Sequence, residues 1–241
     1  MKKRIFAVLL AMLLLCALMV SCADNTDWDN VPKATVIASV DDYDINMDLV
    51  KYYYAEQVAV NKIGSQLSGS MDSAFADATG DSSSASENDK ATAKQYQVCI
   101  DDIMMYGVLD KIAESKGLAE TYETGREQAY EDLILLAKNN TMAYYAQYLN
   151  AIKDNYTATD DGLCDIAGEL YRLRMSAENL INDYCDKGGY KTEEEAVSGI
   201  TKLLKEDAKA VSAKQVFPND KSVSVDIESY VKQQMKFKTF K

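Results

Sequence analysis

The chain contains no histidine. That excludes Ser-His-Asp and Cys-His hydrolases, histidine-ligated zinc and a histidine general base. Cysteine is scarce, five in 241 residues, and no Cys-x-x-Cys spacing occurs, which argues against a zinc or thioredoxin-like site. Proline is confined to Pro32 and Pro218, and glycine occurs only 11 times. With so few breakers, stretches rich in Ala, Leu, Lys, Glu, Gln and Tyr favour helices. Positive charge is also short: 26 Lys and Arg against 38 Asp and Glu leave a formal net charge of −12. So acidic a chain is not expected to bind nucleic acid or anionic lipid by electrostatics.

The first 21 residues have a different character. Lys2, Lys3 and Arg4 give a positive start, Ile5 to Val20 run without a charge, and small Ser21 precedes Cys22. This is the layout of an export signal. Met19-Val20-Ser21-Cys22 resembles a lipobox, which implies that residues 1–21 are a lipoprotein signal peptide. It also implies that the Cys22 thiol carries the lipid at the new N-terminus. A plain membrane-spanning anchor and an ordinary secreted protein are the alternatives. The apolar run is short for a span, which needs about 20 residues. The lipoprotein reading predicts attachment to a lipid bilayer through acylated Cys22, on the extracytoplasmic face, whether outer surface or periplasm. Removal of the signal takes the net charge from −12 to −15, so attachment falls to the acyl chains. Residues 22–33, rich in Asp and Asn and closed by Pro32, are expected to form a flexible tether. Cys16 leaves with the signal. Cys99, Cys164 and Cys185 remain, an odd number allowing at most one disulfide within the chain; small buried residues are the favoured assignment.

A folded body is expected over 34–241. Thr35 to Val40 is β-type, Asp41-Asp42 is a turn candidate, and Tyr43 to Ile45 follows as a second short strand. Asn46 is placed to cap a helix from about Met47 to Leu67. Ser68 to Thr92, dominated by Ser, Gly, Ala and Asp, is expected to be a disordered loop. Apolar residues at three- and four-residue steps predict a helix over Ala93 to Lys116, with Gly117 as its C′ glycine. Another helix is expected from near Thr124 to Asn139, and one from Met142 to Asp154. A long helix capped by Thr159 or Asp160 has a clean apolar face, interrupted by Arg174, and stops at Gly188-Gly189. Thr192 and Glu195 fit a capping box for a helix expected to reach about Val216. Ser222 to Val225 reads as extended, and Asp226 to Phe237 as a last short helix.

Two stretches resemble one family. Val36 to Ile45 followed by a helix is similar to the opening of the SurA/PrsA N-terminal domain. Cys99 to Leu118, ending in Lys116-Gly117-Leu118 before a Thr-capped helix, is similar to that domain's second helix. Together with the helix after the first, they cover about a quarter of the chain beyond Cys22, set against a domain-sized length. Asp41-Asp42 stands where Asn-Gly is common, Asp44 where Pro is common, and the insert at 68–92 is a departure. Gly189 to Glu195 with Leu204 to Phe217 resembles helices of the peptide-cradling domain of trigger factor. Residues 171–217 can also be laid against the start of a parvulin domain, but the parvulin histidines and later Gly-rich strands are absent, so a working isomerase is not expected.

The resemblance implies a mainly α fold: a multi-helix SurA-N/trigger-factor-like chaperone domain with a short N-terminal strand or hairpin. It implies binding of unfolded or extended exported polypeptides, with no cofactor and no catalysis. Tyr53, Tyr54, Met104, Tyr106, Tyr145 and Tyr148 are the residues assigned to that surface, since clustered Tyr and Met suit adaptable apolar contacts. The alternative for each is packing between helices. Acidic pairs such as Asp101-Asp102 and Asp160-Asp161 show no facing-carboxylate arrangement, and helix caps account for most of them. Asp160-Asp161-Gly162 lacks the alternating ligands of a calcium loop. A structural or ligand-capturing cell-surface lipoprotein is the alternative function.

Overall fold

Asp41 turns the chain between two short strands, β1 (Val36–Val40) and β2 (Tyr43–Asn46), with a left-handed φ of 51° that Asp tolerates better than most residues. Its backbone N–H donates to Ser212 O and its carboxylate accepts from Ser212 N, both at 2.8 Å. That reciprocal pair brings in two further strands, β3 (Ala213–Gln215) and β4 (Lys221–Ser222), giving an antiparallel sheet in the order β2-β1-β3-β4. Val40 lies opposite Ala213, and Ala38 opposite Gln215. The computed structural model describes residues 26–68, 93–139, 143–236 and 238. The export segment, Cys22 and residues 69–92 of the expected loop lie outside the described residues.

The rest of the described fold is helical. Asn46 Oδ1 accepts from Leu49 N at 3.0 Å and starts α1 (Met47–Ser68). The second helix, α2 (Ala93–Ser115), ends at Gly117, whose φ of 70° suits a residue without a Cβ. Thr121 caps α3, which runs as an α-helix over Tyr122–Ala129, widens to a π-helix over Tyr130–Leu135 and closes over Leu136–Lys138. Then come α4 (Ala143–Asn155), α5 (Asp160–Gly188), α6 (Glu193–Asp207) and α7 (Ile227–Met235). Thr159 Oγ1 accepts from Gly162 N at 3.1 Å at the start of α5, and Gly189, φ 58°, ends it.

Helix α5 is the mast of the structure. It packs on α3, α2 and α1 along its length and on α6 near its end, while α4 lies on α1 and α7 on α6. Two glycines set the closest crossing. A Cβ on Gly125 would sit 2.3 Å from Gly168 O and 2.7 Å from Arg172 N. Without side chains there, the backbones of α3 and α5 touch. Ile37, Val40, Ile45, Ile100, Ile103, Met104, Leu133, Leu163 and Leu170 are all buried in one core shared by sheet and helices. Cys99 and Cys164 are buried and Cys185 half-buried, and all three are free thiols.

Two expectations are corrected. The helix from Thr192 does not reach Val216: α6 ends at Asp207, a 3-10 turn covers Ala208–Ala210, and the chain then extends into β3. Pairing with β1 satisfies the backbone there, and a partner more than 170 residues away in sequence overrides local helical preference. Part of the tether expected over 22–33 packs on the body instead, because Trp28 and Val31 are apolar and find partners there. Trp28 is buried, its ring stacked on Tyr96 (centroids 5.8 Å apart) and edge-on to Phe217 (5.7 Å). Lys51 Nζ donates to Asp29 O at 2.9 Å and Val31 O at 2.8 Å, so the packed body includes Trp28 to Val31.

Candidate functional site

Helix periodicity places Tyr52, Tyr53 and Glu56 near one another on α1, Asp102 and Tyr106 one turn apart on α2, and Tyr171 and Arg174 on one face of α5. The packing of α1, α2 and α5 brings these faces together. Arg174 Nη1 donates to Glu56 Oε1 at 2.8 Å and Nη2 to Oε2, a two-pronged ion pair. Glu56 is 3% exposed, whereas the Arg174 side chain keeps 28% of its surface. The guanidinium carbon lies 5.1 Å from the Tyr53 ring centre and 5.7 Å from that of Tyr106, within cation–π range. Tyr53 donates its hydroxyl to Asp102 Oδ2 at 2.9 Å, and Tyr230 of α7 packs edge-on against Tyr106 at 5.6 Å. Tyr148 of α4 and Tyr171 complete the ring of phenols around the pair. The Tyr52 hydroxyl, buried beside them, has no hydrogen-bond partner among the described residues.

Burial dominates the electrostatics of this cluster. Burial pushes the phenols of Tyr52, Tyr53, Tyr106, Tyr148 and Tyr171 above their ordinary range, and the nearby Glu56 carboxylate adds to it. They stay protonated at neutral pH. Asp102 is raised by burial, moderated by the Tyr53 hydrogen bond and by Arg174. Arg174 is raised well above its usual value, Glu56 outweighing its desolvation. The buried phenols therefore offer hydrogen bonds and aromatic faces around the ion pair. A second, smaller cluster braces α2 to α5: Arg172 Nη1 donates to buried Asp110 Oδ2 at 2.8 Å and its guanidinium carbon lies 5.4 Å from the Tyr43 ring centre.

Three of the six residues assigned to a peptide surface, Tyr53, Tyr106 and Tyr148, meet around Glu56 and Arg174. Of these, Tyr53 is buried, and Tyr106 and Tyr148 are half-buried. Met104 is fully buried in the core, and Tyr54 packs on Tyr96 at 5.2 Å, next to Trp28. Tyr145 is half-buried, its ring 4.1 Å from that of exposed Tyr144. The open large apolar side chains among the described residues are Tyr122, Tyr130 (40% exposed) and Leu135 (46%) on α3, Tyr144 on α4, Leu203 on α6 and Val216 after β3; Tyr130 and Leu135 fall on the π-helical part of α3. Extra residues in a helical turn displace side chains from the regular face, and such bulges recur at functional positions. The sequence signal for the ion pair was the lone arginine on the apolar face of α5, facing a carboxylate within the apolar run of α1. Nothing local in the sequence marked the π-helical segment.

A groove of about 670 Å³ runs between α6 and α7, with Val197 and Thr201 lining it beside Lys202, Lys205, Glu228 and Lys232. Lys205 and Lys232 both pair with Glu228, at 3.1 and 3.5 Å. It is a charged groove, unlike the tyrosine-rich surfaces. No helix among the described residues is long and apolar enough to cross a membrane. Comparison with family models, with curated proteins and with solved structures finds no match to the chain.

Proposed function

We propose that the chain is a membrane-anchored extracytoplasmic lipoprotein whose helical body binds unfolded or extended segments of exported polypeptides, without isomerase activity. Acylated Cys22 holds it to the lipid bilayer. A relationship to the SurA/PrsA N-terminal domain is part of the proposal. It is supported by the order of elements: a strand hairpin, a long helix, a second helix closing at Lys116-Gly117-Leu118, then a Thr121-capped helix.

The observation that carries the binding role is the α3–α4 pair. Tyr130, Leu135 and Tyr144 stand exposed there, with half-buried Tyr145 and Tyr148 further along α4. Amphipathic rings and a flexible leucine tolerate many partner sequences, which suits a binder of unfolded chains. The Glu56–Arg174 pair ties α1, which packs on α4, to α5.

A structural or ligand-capturing surface lipoprotein is the alternative. It is favoured by the burial of Tyr53 and Met104 and by the ion-paired lining of the α6–α7 groove. Titration of the chain from residue 23 against a fluorescently labelled, permanently unfolded polypeptide separates the two. The proposal predicts saturable binding that weakens when Leu135 and Tyr144 are replaced by serine. Binding that is absent, or indifferent to those changes, favours the alternative. No acceleration of proline isomerisation is expected in the same preparation.

A further inference from the structure

The anchor segment meets the C-terminal hairpin at Trp28, whose ring takes the edge of Phe217. Phe217 belongs to the turn between β3 and β4. That turn is held close to the sheet: Val216 N and Phe217 N both donate to Ile37 O, at 2.8 and 3.0 Å, and Gln215 Nε2 donates to Phe217 O at 2.9 Å. Val216 nevertheless stands 40% exposed at its edge. Pro218 follows, and exposed Lys214 and Lys221 flank the turn, Lys214 paired with Asp220 at 2.7 Å.

We propose that this turn, Val216 to Asp220, is the surface of the body that rests on the lipid bilayer, with Val216 entering the headgroup layer. The inference rests on the acylation of Cys22. Five residues, 23–27, separate Cys22 from Trp28. Even fully extended, that link spans only about 20 Å. Trp28 does not swing away from the body, because Tyr96, Phe217 and the two carbonyl contacts of Lys51 hold its segment. The bilayer surface therefore lies within that reach of Trp28, and the Phe217 turn is in contact with Trp28.

The chemistry of the turn fits this placement. An apolar tip between two lysines matches the depth profile of a membrane interface, where aliphatic atoms go inward and ammonium groups stay with phosphates and water. One valine is far too little to hold a soluble body on lipid, and the net charge opposes adsorption to anionic membranes. The covalent anchor supplies residence, at a high effective concentration of lipid, and the tip supplies orientation. A zwitterionic bilayer is sufficient.

The chain has a single tryptophan, which makes the test direct. Val216→Trp is introduced with Trp28→Phe, and the acylated chain is reconstituted into phosphatidylcholine vesicles with or without bromine on the acyl chains. Flotation with the vesicles, together with a blue shift and bromine quenching at Val216→Trp, is the expected result. The Cys22→Ser chain mixed with the same vesicles shows neither. Flotation with emission unshifted and unquenched overturns the inference and leaves the anchor standing. A chain that carries no lipid, or does not float, overturns the anchor and the inference together. If Trp28→Phe fails to fold, Val216→Trp over native Trp28 gives the same comparison as additional quenched emission.

Discussion

Arg174 on α5 grips the carboxylate of Glu56 on α1 with both terminal nitrogens, 118 residues away in sequence, between the rings of Tyr53 and Tyr106. Glu56 is almost wholly buried, so removing it strands a cation that has lost most of its water. Glu56→Ala is expected to destabilise the fold by about 2–3 kcal/mol, below the about 3–5 kcal/mol of a fully buried pair because Arg174 keeps some solvent contact. The urea midpoint measures it. Arg174→Lys should also lose stability, since an ammonium offers neither the fork nor the flat face.

Asp102 predicts the opposite sign. Burial raises its pKa above the unfolded value despite the hydrogen bond from Tyr53. A carboxyl so raised binds more protons folded than unfolded between its two pKa values. Its contribution therefore falls as pH rises through that window and recovers on acidification. Asp102→Asn keeps an acceptor for Tyr53 and removes the buried charge. It should match or exceed the parent in stability at pH 7, and the difference should shrink as pH falls toward 4, a range set by ordinary carboxylate pKa values of about 4. Thermal melts across pH read both.

The crossing of α3 and α5 gives a steric prediction. A methyl at Gly125 meets backbone, Gly168 O at 2.3 Å and Arg172 N at 2.7 Å, and no flexible side chain can yield. Gly125→Ala should cost about 1–3 kcal/mol or more through overpacking, although alanine is the better helix former. A raised melting temperature would mean the helices do not cross there.

Helix caps offer a test with a pH signature. Asp226 accepts from Ser229 N and Ser229 Oγ at the start of α7, and these bonds hold its carboxyl below the usual range. Asp226→Ala should cost about 1 kcal/mol at neutral pH. A depressed carboxyl contributes above its unfolded pKa and loses that contribution as pH falls through the folded one. The parent and variant curves should therefore converge in acid.

Much of this fold was legible because its boundaries are chemical. Asn46, Thr159 and Thr192 cap helices where their hydroxyl or amide oxygens predicted, and Gly117 and Gly189 end them in left-handed backbone. The capping box at Thr192 differs in one detail, since Glu195 accepts from Lys191 N rather than from Thr192 N. The end of α6 was not legible, because Ala213 to Gln215 extends only by pairing with β1. The Gly125–Gly168 contact was equally hidden, since a glycine within a helical pattern does not announce the helix it touches. At the candidate site, the tyrosine clusters fell on α1, α2 and α4, but helical spacing alone did not say which face looked inward. Met104 and Tyr53 went to the core, and two of the open positions, Tyr130 and Leu135, fell where the π-helical turn breaks the regular spacing.

The most direct test of the central claim is light scattering by an aggregating, chemically unfolded client in the presence of the chain from residue 23 onward. The account predicts that a molar excess suppresses aggregation, and that Leu135→Ser with Tyr144→Ser abolishes the suppression while leaving the circular dichroism and the melting temperature unchanged. Aggregation that proceeds equally with and without the parent chain contradicts it.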